Sequence, residues 1–151
     1  MQKKDCIFCK IIKGEIPSAK IWEDKKHLAI LDVFPNTKGM TIVMPKEHHD
    51  SYVFDMSDNS YKDLMIAAKK VGKILDKKLK VVRTAMVAEG MGVNHAHIKL
   101  YPMHGIDKHY EEMWNTDEVY FETHPGYLIT KRGPKADSKE LEELAKQIRG
   151  K

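Results

Sequence analysis

Two histidines and a lysine alternate with apolar residues in the segment Val93–Pro102, VNHAHIKLYP. Side chains at every second position lie on one face of a β-strand. A strand here would place His95, His97 and Lys99 in one row and leave the intervening residues, Ala96, Ile98 and Leu100, for a core. Imidazole is a nucleophile and a general base near neutral pH, and an ammonium can neutralise charge on a phosphate. The row therefore predicts attack on a phosphorus or carbonyl centre.

Two glycines just before the row favour the same chemistry. Gly90 and Gly92, in EGMGVN, have no Cβ and let backbone N–H groups approach an oxyanion closely. A strand whose polar face merely carries histidines is the simpler alternative, but two histidines in register with a lysine favour a functional role. H-x-H pairs also bind metals in large barrels, which need about 250 residues. This chain has 151 residues, too few for such a barrel.

The two cysteines of the chain, Cys6 and Cys9, form a C-x-x-C motif. A redox dithiol would follow the first strand of a thioredoxin-like unit, whereas this motif precedes every predicted strand. A structural zinc site would need two further nitrogen or sulfur ligands. His48, in PKEHHD, and His95 complete a chemically sound set with the cysteines. Spacing alone does not single out this set, because His48 could equally cap a helix or face solvent.

Hydrophobic patterning predicts the elements that position these residues. A helical turn ends at Gly14, strands lie in AKIWED and HLAILD around a short turn, and a short strand TIVMP ends at Pro45. Helical spacing of apolar residues predicts a helix over 58–79, followed by a strand in KVVRTAMVAEG. Strands and helices do not alternate as repeated βαβ units. The predicted class is α+β with a largely antiparallel sheet.

Composition describes a globular chain of one domain by length, with 42% hydrophobic and 32% charged residues. The net charge of +4 is spread over several Lys-Lys pairs. It would suit a phosphate-bearing substrate, but it does not indicate nucleic-acid binding. The sequence shows neither a membrane-spanning segment nor the apolar stretch of a signal peptide, and two cysteines are too few for a secreted disulfide scaffold. We therefore expect a cytoplasmic protein with no membrane partner.

The segment GMGVNHAHIKLYP resembles the signature of the histidine triad (HIT) family, H-φ-H-φ-H-φ-φ. His95 and His97 match the first two histidines, Lys99 stands at the third, and Met91 replaces a glutamine usual just before. DCIFCKIIKGEIPSAKIWED and HLAILDVFPNTKGMTIVMPKEHHD also resemble family stretches. The resemblance thus extends over Asp5–Pro102.

The resemblance implies a HIT-like fold, a small antiparallel sheet with flanking helices that pairs into a symmetric homodimer. Residues 1–102 would form the HIT domain core, with the helix 58–79 near the dimer interface. Residues 103–151 do not match the family core. Their own patterning predicts a C-terminal extension packed on the same domain, with a hairpin-like segment and a terminal helix capped by Asp137 or Ser138. This extension could cover the leaving-group side of the site, with Trp114 and Tyr120 as its anchors, although ordinary core packing explains these two residues equally well.

The resemblance also implies a role for each residue of the row and its surroundings. His97 would attack the α-phosphorus of a nucleoside phosphate ester, anhydride or phosphoramidate and form a nucleotidyl-histidine intermediate, released to water or another acceptor. Asp32 would bind the ribose hydroxyls, and Gly92 and Val93 would approach the phosphate. Lys99 would keep a positive charge on the leaving-group side of the phosphate.

The zinc-bearing members of the family imply a metal site formed by Cys6, Cys9, His48 and His95. Zinc would be structural, since four protein ligands leave no position open for substrate. Lysine shuttles protons poorly at neutral pH unless its pKa is lowered. A catalytically weak or inactive module that binds a nucleotide or docks a partner is therefore the alternative to a hydrolase or nucleotidyl transferase.

Overall fold

The structure is a computed structural model that describes residues 5–106 and 135–150. A five-stranded antiparallel sheet with the strand order β1-β2-β3-β5-β4 carries helices beside it, which confirms the predicted α+β class. The strands are β1 (Lys20–Glu23), β2 (His27–Leu31), β3 (Thr41–Pro45), β4 (Thr84–Val87) and β5 (Ile98–Pro102). The helices are α1 (Ile7–Lys13), α2 (Asp58–Leu79) and α3 (Ser138–Arg149), with a 3-10 turn at Val53–Asp55.

The first hairpin forms where the sequence predicts it. The Asp24 carboxylate accepts the backbone N–H groups of Lys26 and His27 at 2.8 and 2.7 Å, which closes the turn between β1 and β2. Strands β2 and β3 are buried along their whole lengths and pair in continuous register. The positions of these strands fix the loops that follow them. The predicted site residue Asp32 lies in the loop after β2, and His48 lies in the loop after β3.

Helix α2 spans the predicted residues 58–79. The Ser57 hydroxyl caps its N-terminus by accepting the Ser60 N–H at 3.3 Å, and Lys80 ends it in the left-handed conformation with φ 54°. One face of α2 packs on the sheet. The shared core includes Leu64, Ala68, Val71 and Leu75 of the helix and Val43, Ile98 and Leu100 of the sheet.

Helix α3 confirms the predicted terminal helix. The Asp137 carboxylate caps it by accepting the N–H groups of Lys139 and Glu140, and its buried stripe packs against β1 and α2. The hairpin-like segment, Trp114 and Tyr120 lie outside the described residues. The division at residue 102 therefore stays a prediction. No helix in the described part of the chain combines the length and apolar character needed to cross a bilayer.

The predicted strand through the two histidines is wrong in its first half. Strand β5 begins only at Ile98, and β4 is likewise shorter than its predicted run. The His95 N–H donates back to the Val93 carbonyl at 2.8 Å, so this backbone makes a turn instead of a ladder. His95 and His97 consequently do not lie on a polar face; their exposed fractions are 0% and 2%.

We expect Leu64→Ala to lower the free energy of unfolding by about 2–5 kcal/mol, because Leu64 is fully buried between α2 and the sheet. Lys70→Ala, on the exposed face of the same helix, should change it by less than about 1 kcal/mol. Urea unfolding followed by circular dichroism measures both. Equal losses in the two variants would contradict the packing of α2.

Candidate catalytic cavity and metal site

The four residues of the predicted metal site lie together. One ligand atom from each of Cys6, Cys9, His48 and His95 lies within 4.8 Å of the other three. Helix α1 carries the cysteines at its N-terminus, the loop after β3 carries His48, and the turn before β5 carries His95. Residues up to 89 positions apart in sequence therefore meet at one point.

Hydrogen bonding orients the His95 ring toward the two sulfur atoms. Because the Pro45 carbonyl can only accept, the Nε2–H of His95 must donate to it, at 2.8 Å. The lone pair of Nδ1 is then left facing Cys6 Sγ at 3.4 Å and Cys9 Sγ at 3.6 Å. Burial lowers the pKa of His95 to about 4, so the ring is neutral at pH 7.

The His48 ring also faces the cysteine sulfurs. Its Nδ1 lies 3.5 Å from Cys9 Sγ, and its Nε2 lies 3.4 Å from a carboxylate oxygen of Asp50. The side chain is only 4% exposed, which excludes the solvent-facing alternative. Two thiol sulfurs and two imidazole nitrogens form the ligand set that zinc prefers in closed, four-coordinate sites. The residues present therefore fit zinc.

A side-chain bridge joins the two loops that carry the histidines. The Asn94 amide donates to the Asp50 carboxylate at 3.0 Å, and the Ser51 N–H donates to the Asn94 side-chain carbonyl at 2.9 Å. Asn94 immediately precedes His95, and Asp50 follows His48 by two residues. The bridge thus fixes the spacing of the two ligating rings. Sequence reasoning missed it, although both residues lie in the quoted segments PKEHHD and VNHAHIKLYP, because the sequence does not show that these two segments meet.

Substitutions of two neighbouring histidines should affect zinc binding differently. His48→Ala should weaken zinc binding by more than about 100-fold and lower the melting temperature, because one of four ligands is lost. His49→Ala should bind zinc as the wild type does, since the His49 ring lies 3.9 Å from Glu47 instead. Elemental analysis after dialysis against a chelator measures bound zinc. Equal zinc content in both variants would refute the assignment.

The other predicted site residues line one cavity of about 360 Å³. Its volume falls in the range of small-molecule sites. The structure brings together Asp32, Gly92, Val93, His97 and Lys99, all on this cavity. Apolar side chains complete the wall: Ile7, Phe8, Val33, Phe34, Met40, Ile42 and Met91. The cavity thus combines an apolar surface with a few convergent polar groups.

His97 is fixed as one tautomer. The His95 carbonyl can only accept, so the Nδ1–H of His97 donates to it, at 2.7 Å, and Nε2 keeps the lone pair. Burial is the largest influence and lowers the pKa of His97; the hydrogen bond to the carbonyl raises it, and the Lys99 charge lowers it. The net shift is downward. A neutral imidazole with a lone pair on Nε2 is a competent nucleophile.

Two residues that sequence reasoning missed contact the site. The Phe8 ring meets the rings of His97 and His95 edge-on, with centroids 5.3 and 5.8 Å apart. The Lys99 ammonium pairs with the Glu89 carboxylate at 2.5 Å. Phe8 lies inside the C-x-x-C motif, a position that could have drawn attention to it. Glu89 carries no such signal, since it simply follows a strand.

The carboxylate of Asp32 is positioned by its own backbone. Its Oδ1 accepts the Phe34 N–H at 2.8 Å, which makes the exit from β2 an Asx turn. Asp32 therefore lies at the end of a buried strand, on the wall of the cavity that also contains His97 and Lys99. A hydroxyl-bearing ligand in this cavity could donate to the carboxylate.

A family model described as HIT domain matches residues 13–105, more than half of the chain. The chain belongs to the HIT domain family. The resemblance stated from the motifs is thereby confirmed. The Bacillus subtilis protein called Protein hit is 35% identical over 118 residues, which cover 75% of this chain and 81% of that protein.

Two further proteins are similar to this HIT protein. Adenosine 5'-monophosphoramidase of Schizosaccharomyces pombe is 38% identical over 98 residues, covering 64% of this chain and 73% of that enzyme. The crystal structure of a zinc-bound histidine triad family protein from Mycobacterium smegmatis superposes with a TM-score of 0.67 at 24% identity. The superposition covers 97% of this chain and 91% of that chain, and it shows a shared fold.

Proposed function

We propose that this HIT protein is a hydrolase or nucleotidyl transferase that attacks the α-phosphorus of a nucleoside phosphoramidate, ester or anhydride. One observation carries the proposal: His97 donates through Nδ1 to the His95 carbonyl, keeps the Nε2 lone pair and shares a cavity with Lys99 and Asp32. The family includes proteins named adenosine 5'-monophosphoramidase, such as that of Schizosaccharomyces pombe. An adenosine phosphoramidate is therefore the substrate to test first.

In the first half-reaction, the Nε2 lone pair of His97 forms a bond to phosphorus as the phosphorus–nitrogen bond of the substrate breaks. The leaving nitrogen keeps the bonding electron pair and takes a proton from water, while the Lys99 ammonium neutralises negative charge on the phosphate. In the second half-reaction, water attacks phosphorus, the phosphorus–Nε2 bond breaks with its electron pair returning to His97, and the proton of the attacking water passes to the solvent. The products are an amine and a nucleoside monophosphate. Another acceptor in place of water would make the reaction a nucleotidyl transfer.

The remaining predicted residues would bind the nucleotide. The Asp32 carboxylate would accept hydrogen bonds from the ribose hydroxyls. Gly92 has φ 88° and nothing within 4 Å of the position where a Cβ would stand, so its backbone is accessible to a phosphate. Val93 follows it on the same cavity wall and would approach the phosphate beside it. The apolar wall would pack against the base.

Zinc bound by Cys6, Cys9, His48 and His95 would have a structural role, because its four ligands leave no open position. The chain would hold the metal beside the catalytic cavity without exposing it to substrate. Its contribution would be to fix the His95 main chain, on which the His97 tautomer depends. The cytoplasmic location expected from the sequence stays a prediction.

A variant of the nucleophile tests the proposed reaction. His97→Ala should lower the rate of AMP release from adenosine 5'-phosphoramidate by at least about 1,000-fold, because the nucleophile of the proposed covalent intermediate is removed. His104→Ala, an exposed histidine that meets the Lys38 carbonyl, should retain wild-type turnover. Chromatography of released AMP gives both rates, and mass spectrometry of acid-quenched enzyme should detect adenylylated His97.

Equal turnover by the wild type and His97→Ala would overturn the enzymatic proposal. A melting temperature raised by AMP, with no substrate consumed, would instead support the alternative of a nucleotide-binding module. The two functions therefore give opposite results in the same pair of measurements.

We further propose a symmetric homodimer in which β4 meets the same strand of a second copy. Helix α3 covers β1 at one edge of the sheet, whereas β4 pairs with β5 alone among the described strands. Met86 on β4 is 53% exposed. Sedimentation velocity should show a dimer that Met86→Lys weakens, because strand edges with a charged side chain resist pairing. A wild-type monomer at all concentrations would refute this assembly.

A further inference from the structure

The ion pair between Lys99 and Glu89 is less exposed to solvent than the ion pair between Lys26 and Asp63. Its side chains are 19% and 16% exposed, and the charged atoms are 2.5 Å apart. The ion pair of Lys26 with Asp63 has side chains 72% and 44% exposed. Exposed pairs contribute little, whereas separating the partners of a pair that is largely withdrawn from water leaves each charge poorly compensated. The Lys99–Glu89 contact is therefore a specific feature of the cavity wall.

The sheet register explains how Glu89 reaches the ammonium. Val87, the last residue of β4, pairs with Lys99 of β5, and Glu89 follows Val87 by two residues. Side chains two positions apart along an extended chain point to the same side. Gly90 then turns the chain with φ 72°, and a Cβ at Gly90 would stand 2.6 Å from the Ser51 carbonyl oxygen. The loop that presents Glu89 is thus closely packed.

A lysine alone would not remain in one place at this site. Its ammonium is a point charge on a flexible four-carbon stem, unlike a ring fixed by two side-chain torsions. Lys99 lines the cavity that also contains His97, so the orientation of its side chain decides whether the ammonium meets the phosphate. A partly buried carboxylate partner restricts the stem to the orientations that keep the ion pair.

We propose that Glu89 is a positioning residue that holds the Lys99 ammonium on the leaving-group side of the phosphate bound in the His97 cavity. This inference rests on the proposed function and adds a residue to it. Glu89 acts through Lys99 and need not touch the substrate. The ion pair places an oriented cation at the position where the HIT signature has its third histidine. The Glu89 carboxylate compensates the charge of the Lys99 ammonium until an anionic substrate enters.

The kinetic test compares Glu89→Gln with Glu15→Gln, an exposed acid paired with Lys13. Glu89→Gln should lower kcat by about 10- to 100-fold through misplacement of Lys99. Its KM should not rise, because loss of a carboxylate leaves the cavity more attractive to an anion. Glu15→Gln should match the wild type. A kcat of Glu89→Gln within about twofold of the wild type would overturn the proposal.

A double-mutant cycle shows whether Glu89 acts through Lys99. In Lys99→Gln, the further change Glu89→Gln should have no effect on kcat, because the group that Glu89 positions is already absent. If the effects of Lys99→Gln and Glu89→Gln on kcat instead multiply in the double variant, the positioning role is refuted. Glu89→Asp, which keeps the carboxylate, should fall between the wild type and Glu89→Gln. It provides a second variant if Glu89→Gln fails to fold.

Nuclear magnetic resonance tests the pair without turnover. The ammonium ¹⁵N signal of Lys99, assigned by its loss in Lys99→Gln, should be visible in the wild type and Glu15→Gln and broadened away in Glu89→Gln. It should shift when AMP is added. The inference would be overturned if the Lys99 ammonium signal persisted in Glu89→Gln, or if that signal did not shift in the wild type when AMP is added. An inactive wild type with both expected signals would instead refute only the proposed reaction.

Discussion

The buried turn at His95 is the constraint on which both sites of this HIT protein depend. One ring nitrogen donates to the Pro45 carbonyl, the other faces the two cysteine sulfurs, and the main-chain carbonyl accepts the Nδ1–H of His97. His95 is completely buried, so the turn that contains it has little freedom to move. A single residue thus couples the geometry of the metal site to the tautomer of the candidate nucleophile.

The rest of the fold maintains this turn. Strands β3 and β5 pair directly and bring the Pro45 carbonyl beside the start of β5. Helix α1 carries the cysteines against the same side, where Phe8 also contacts both histidine rings. The Asn94 bridge to Asp50 closes the arrangement from the loop after β3. These contacts come from segments distant in sequence, so a disturbance at the metal site would reach His97 through the main chain of His95.

The lysine at the third position of the triad changes the electrostatics of the cavity. A histidine there would be able to exchange a proton near neutral pH, whereas Lys99 provides a cation beside the carboxylate of Glu89. With Asp32 on the same cavity wall, the polar groups of the site carry charges of both signs. Such a site can orient a phosphate ester or amide by local charge instead of a uniform positive field. Under the proposed function, this ion pair would serve the chemistry of the cavity by orienting its cation.

Much of the element plan follows from local sequence. The spacing of Leu64, Val71 and Leu75 determines α2, and Gly14 ends α1 in the left-handed conformation with φ 80°. The motif around His95 and His97 indicated the family and the candidate ligands. These features depend on neighbouring residues and on side-chain periodicity, which a sequence carries directly.

The tertiary structure decided what the residues of the row do. Alternation predicted one strand with His95, His97 and Lys99 on a common face, but the turn at Val93–His95 interrupts it and buries both rings. Their partners, Pro45, the cysteines and Glu89, come from other elements. Periodicity describes a chain only with respect to its own axis, whereas a hydrogen-bonded tautomer or a partly buried ion pair requires atoms that approach only when the sheet and helices have packed.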